Sequence, residues 1–291
     1  MSNILNIILT ILKIVFTLGF LIFIHEGGHF IVAKLCKVKV KEFAIGFGPK
    51  IYQKQGKETL FTLRLVPLGG FNNLDDTPET PRDDETEEEK IERIRRDKER
   101  EEDPRNFRNA KNWKRFLIVL AGGVVNIVFG LLILFILFTS TCEKNNGKII
   151  FDENGNPELI QTEDANFGDS IFYGGYQTKQ YIIEMGKSIA KIFSGNIKSE
   201  DVTGPVGIGK VISQTEDVKD FVYLIAVISV SLGVTNLLPI PALDGFKLIM
   251  IIYEAIRKKK IDPVKEANLQ LIGFSILIIL SIFVTWHDIT G

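Results

Sequence analysis

Residues 18–36 read LGFLIFIHEGGHFIVAKLC, and the fold turns on them. An apolar run covers Ile4–Ile24, and its helical pattern continues past His25, Glu26 and His29. The chain has three histidines in 291 residues, so two of them four positions apart in an apolar segment need a reason. Lys13 and Lys34 bracket the segment at a separation of about 31 Å along a helix. That length matches a hydrocarbon core, with each lysine reaching back to its own interface. Both histidines then fall about 8 to 14 Å inward from Lys34, inside the membrane.

Three further runs have the same length and character: Phe116–Phe138, Phe221–Leu238 and Leu269–Trp286. Each is long enough to cross a bilayer as a helix. The first run lacks a basic leading region and a small-residue cleavage site, so it is an anchor and not a signal peptide. The expected fold is therefore an α-helical polytopic membrane protein with four transmembrane helices. The 35 basic and 36 acidic residues nearly cancel, which argues against general nucleic-acid binding. Basic residues number 19 in 37–115 and six in 239–268, against eight in 139–220. The positive-inside rule then places both termini outside and the first and third loops in the cytosol. On this topology Cys36 and Cys142 lie near opposite faces, cannot pair, and read as structural.

The chain divides accordingly. Residues 1–36 form the first span, and 37–74 a membrane-associated β region with a hairpin near Gln55-Gly56-Lys57. Residues 75–112 are a charged cytosolic insertion, whose core at 75–105 is solvated and either partly helical or disordered. A second span at 113–141 leads to an external loop at 142–220. That loop is expected to hold a hairpin around Asn154-Gly155-Asn156 and an amphipathic helix at Tyr181–Ser194. The third span covers 221–247, a cytosolic loop 248–268, and the fourth span 269–291.

His25-Glu26-Gly27-Gly28-His29 is an H-E-x-x-H pattern. On a helix, positions i and i+4 share a face, so both imidazoles reach one Zn²⁺ with Glu26 beside the reacting water. Charged groups at mid-bilayer cost about 2 to 3 kcal/mol each, and mid-helix glycines about 1 kcal/mol each. Metal binding supplies a reason for accepting those costs. A zinc hydrolase needs a third protein ligand and an open position. The remaining histidine, His287, is at the far end of the last span. Asp244, in NLLPIPALDGFKL (236–248), is the candidate, because Pro239 and Pro241 break the helix at membrane depth.

H-E-x-x-H in the first span with N-x-x-P-x-P-x-L-D-G at 236–245 resembles the site-2 protease family of intramembrane zinc metalloproteases. IGFGP (45–49), PLGGF (67–71), AGGVVNIVFG (121–130) and SGNIKSEDVTGPVGI (194–208) resemble its bacterial sigma-factor-regulating branch. The resemblance implies zinc on His25, His29 and Asp244, Glu26 as catalytic base and acid, and Asn236 in contact with the substrate. It further implies a bacterial cytoplasmic membrane enzyme with its site in the cytosolic half of the bilayer. The implied partners are lipid and single-span membrane-protein substrates such as anti-sigma factors or remnant signal peptides. Zinc is the only cofactor expected, and no nucleic acid is involved. Two features depart from that branch: no PDZ domain fits between the second and third spans, and the 75–105 insertion has no counterpart. The alternatives are a membrane transporter with a His/Asp site and a catalytically silent membrane adaptor. The first calls for more ionisable residues in the other spans, and the second for loss of Glu26 or a ligand.

Overall fold

The computed structural model describes residues 2–74, 84–144, 147–151, 157–161, 167–194, 204–215 and 217–290. Two compact units emerge, Met1–Asn126 with Leu232–Ile279, and Ile127–Ser231 with Leu280–Gly291. Among the described residues, four helices are long and apolar enough to cross a membrane: α1 (Ser2–Leu35), α3 (Asn112–Lys144), α6 (Val218–Asn236) and α8 (Pro263–Thr290). Side chains such as Leu9, Ile11 and Phe16 on α1 and Ile276, Ile279 and Phe283 on α8 are exposed. Apolar surface of that extent on a helix is what a lipid solvent accepts.

Between α1 and α3 lie two long bent strands, β1 (Glu42–Gln55) and β2 (Leu60–Asn73). Their register runs in both senses. Glu42 to Ile45 pair in step with Leu60 to Leu63, and in the opposite sense with Asn73 to Gly70. Tyr52 to Gln55 pair antiparallel with Leu63 to Leu60. Segment 42–45 is therefore interior, and 70–73 has no second strand beside it among the described residues. Gly46, at φ 87°, bends β1 where a Cβ would meet the Val66 carbonyl oxygen at 2.7 Å. The expected turn is present, closed by Gly56 N–H donating to the Thr59 carbonyl at 2.9 Å. The sheet docks on α1 through aromatic rings: Phe30 lies 5.3 Å from Phe43 and 5.7 Å from Phe61 between centroids.

The charged insertion contains helix α2 (Glu87–Glu102), started by a capping box of Thr86 and Glu89, with Glu87–Glu89 at its positive end. Residues 75–83 lie outside the described residues. A short 3-10 turn, Phe107–Asn109, leads into α3. Phe107 joins Ala33, Val38, Ile118, Leu248 and Ile251 in the core of the first unit.

In the second unit β3 (Gly147–Phe151) and β4 (Pro157–Gln161) pair antiparallel as the expected hairpin, whose tip at 152–156 lies outside the described residues. Helix α4 spans Phe167–Ser194, beginning earlier than the expected Tyr181. Its glycine-containing first half lacks a plain apolar period, but Gly174 packs where a Cβ would sit 2.1 Å from Thr139 Oγ1 on α3. Tertiary contact therefore decides its state. Helix α5 (Pro205–Ser213) follows, with proline in its first turn.

The third span also differs from expectation. Helix α6 stops at Asn236, residues 237–243 are irregular with Ala242 at φ 79°, and a separate helix α7 (Asp244–Arg257) begins. Most of the loop expected at 248–268 is thus helical. Leu248, Met250, Ile251 and Glu254 give α7 a buried face, and that face overrides the charged appearance of its end.

Candidate metal centre

α1 turns His25 and His29 to one face, with their Nε2 atoms 3.2 Å apart. Asp244 opens α7, and its Oδ2 lies 3.1 Å from each of those nitrogens. A zinc ion bound tetrahedrally at about 2.0–2.1 Å separates its ligand atoms by about 3.3 Å. Three donors of the right chemistry therefore have the right spacing, with one side left open. Although 3.1 Å from both nitrogens, Asp244 Oδ2 meets hydrogen-bond geometry with neither and is a buried acceptor without a partner among the described residues. A cation among the three atoms removes that penalty.

One of the two imidazoles, that of His29, is oriented by a neighbouring helix. His29 Nδ1 lies 2.7 Å from the Ile118 carbonyl oxygen of α3, so this nitrogen carries the proton and Nε2 keeps its lone pair. α3 also supplies Gly122, where a Cβ would lie 2.2 Å from His29 Nε2. Gly28 answers it from α1, since a Cβ there would meet the Ala121 carbonyl oxygen at 2.8 Å. Gly27, its neighbour in the motif, faces open space. The two glycines of HEGGH thus have different work: one allows helix contact, and the other is not needed for it.

Glu26 sits beside this cluster. Asn72, on β2, donates from Nδ2 to Glu26 Oε2 at 2.8 Å and to the Glu26 carbonyl oxygen at 2.9 Å. Gly70 lets the strand approach, because a Cβ there would lie 2.9 Å from Glu26 Cγ. His25, Glu26, His29, Asn72, Asn236 and Asp244 all line one cavity of about 400 Å³. All five site residues expected from sequence therefore converge. Asn72 was not foreseen, and its only sequence signal is that it directly follows PLGGF.

The profile of Peptidase family M50 matches residues 13–280. The chain belongs to peptidase family M50. A Clostridium acetobutylicum protein provisionally named a zinc metalloprotease is 29% identical over 355 positions, covering 98% of this chain and 97% of the relative. Zinc metalloprotease RasP of Shouchella clausii is 24% identical over 412 positions, covering 97% of this chain and 99% of the relative. Regulator of sigma-W protease RasP of Bacillus subtilis is 25% identical over 413 positions, covering 96% and 98%. These alignments are longer than the 291-residue chain, so the relatives carry segments that this M50 chain lacks. Membership makes the chain an intramembrane zinc metalloprotease of regulated intramembrane proteolysis, with zinc as cofactor and several bacterial membrane spans. It decides for the enzyme over the transporter and adaptor readings.

Proposed function

We propose that His25, His29 and Asp244 hold the zinc and that Glu26 is the general base and acid of peptide hydrolysis within the membrane. The observation that carries this reading is the convergence of two Nε2 atoms and one carboxylate oxygen within 3.2 Å, with Glu26 adjacent on the same helix. When bound there, zinc polarises the scissile carbonyl and brings the pKa of a water down to about 7. Glu26, aimed by Asn72, takes a proton from the attacking water and returns it to the leaving amine. Asn236, on the cavity wall, donates to the substrate carbonyl as charge develops there.

A helical substrate buries its own amides in hydrogen bonds and must unwind before attack. Segment 70–73, with no second strand beside it among the described residues and adjacent to Glu26, suits an extended peptide adding as a strand. Substrates are single-span membrane proteins, such as anti-sigma factors or remnant signal peptides. The name of the Bacillus subtilis relative links that protein to sigma-W regulation and supports this choice. Both termini are external and the site lies in the cytosolic half, as the basic residues of the first and third loops indicate.

Two experiments test the proposal. Elemental analysis of detergent-purified protein should show zinc lost in His25→Ala and Asp244→Ala, and zinc retained without cleavage in Glu26→Gln. Full occupancy in Asp244→Ala would refute its role. In a cysteine-free background, Lys179→Cys should label from outside and Lys90→Cys only after permeabilisation; the reverse pattern inverts the orientation.

A further inference from the structure

A second cavity, of about 810 Å³, lies among the end of α2, the 3-10 turn and the connection from α7 to α8. Six cations line it against three carboxylates. Two of those carboxylates are already engaged. Asp97 pairs with Arg93 and Arg100 of its own helix. Asp262 accepts from the Val264 and Lys265 amides at the start of α8. Among the cations, Arg100 pairs with Asp97 and Arg108 with Glu266, and the other four are less well matched. Lys260 Nζ donates to Asn109 Oδ1 at 3.0 Å, and Arg257 lies over the Tyr253 ring at 5.7 Å. Lys259 and Lys265 have no carboxylate partner among the described residues. Lys260 responds to this surplus: burial first, then the Arg115 and Arg108 charges, loosens its proton relative to an ordinary lysine.

Pro263, part of the cavity wall, is also the first residue of the candidate span α8. The cavity therefore adjoins the first turn of a helix long and apolar enough to cross a membrane. Ile252 and Ile256 on α7 and Val264 on α8 are exposed apolar side chains close by in the chain. Basic side chains recognise phosphate by charge-assisted hydrogen bonds, and basic pockets at the ends of membrane helices suit acidic headgroups. We propose that this cavity binds the phosphate of an anionic phospholipid headgroup, whose acyl chains lie along the exposed apolar faces of α7 and α8.

The test is lipid retention by the full-length protein, read by native mass spectrometry after incubation with phosphatidylglycerol or phosphatidylcholine. The wild type should retain phosphatidylglycerol in preference. The double variant Lys259→Gln/Lys265→Gln should retain about 25-fold less, at about fivefold per lysine near a membrane surface. Lys54→Gln/Lys57→Gln, at the exposed turn between β1 and β2, should behave as wild type. Unchanged zinc content in both variants verifies their folding. Equal loss in the two double variants, or equal retention of both lipids by the wild type, would overturn the site. Displacement of phosphatidylglycerol by millimolar inorganic phosphate would overturn the lipid assignment in favour of a soluble phosphate compound.

Discussion

Gly122→Ala should separate metal binding from helix stability. The added Cβ would stand 2.2 Å from His29 Nε2, whereas ordinary contact begins near 3.4 Å. Either the imidazole or α3 must therefore yield by about 1.2 Å, several times the ~0.2 Å tolerance of a metal–ligand distance. Moving the ring also stretches the 2.7 Å contact from Nδ1 to the Ile118 carbonyl, so the orienting bond is strained together with the donor. Loss of an outer-shell partner alone lowers metal affinity by about 10- to 100-fold. Displacement of the donor itself should exceed that, and a decrease of at least 100-fold is expected. The assay is competition for zinc against a chelator of known affinity, with the chain in detergent. Gly27→Ala is the internal control, since a Cβ there meets nothing within 4 Å. It should bind zinc as wild type does and gain up to about 1 kcal/mol of helix propensity. Zinc affinity within threefold of wild type in Gly122→Ala would refute the placement of His29.

Asn72→Ala removes a charge-assisted hydrogen bond to Glu26 and a second bond to its backbone. Turnover of a transmembrane peptide should fall about 10- to 100-fold at unchanged zinc content; full turnover would show that Glu26 needs no external aim. Glu58, in the turn after β1, is hydrogen-bonded by Lys34 and lies beside Arg105, which together hold its carboxyl below the ordinary 4.5. A depressed folded-state value gives stability that is present above the unfolded value and lost as pH falls through the folded one. Glu58→Gln should therefore lower Tm at pH 7, with the gap narrowing below about pH 4.5; a gap independent of pH would assign the effect to packing. Exposed Ile182 and Ile183 give α4 an apolar surface suited to lie on a bilayer. Aspartate at both should change cleavage of a substrate with a bulky external domain more than of a truncated one; equal effects would leave α4 a purely structural part.

The metal donors were legible because their geometry is local. Four residues on a helix bring His25 over His29, and two prolines announce the break that delivers Asp244. Asn72 was not legible, because it reaches Glu26 only after β1 and β2 have bent into a sheet with pairings in both directions. Gly122 is likewise silent in sequence, since nothing in AGGVVNIVFG says which of its glycines faces an imidazole on another helix. The start of α7 at Asp244 was obscured by the run Arg257–Lys260, which reads as a loop although the residues before it carry a buried apolar face. In each case the missed information lies in contacts between distant segments.

Two bonded ties and the donor cluster connect three helices. His29 Nδ1 holds α1 to α3, the buried pair of Arg115 and Glu254 holds α3 to α7, and the donor cluster lies between α1 and α7. Glu254 also accepts the Ile261 amide, which secures the exit from α7. Breaking one partner of such a buried pair costs about 3 to 5 kcal/mol, so the middle tie does not open casually. Because the first two ties involve no ion, they keep the three helices in place when it leaves. A zinc finger collapses on chelation because its ion is the keystone. Here the ion is a tenant of a finished building: stripping it should silence the enzyme while leaving its far-ultraviolet dichroism intact, and adding zinc back should restore activity without refolding.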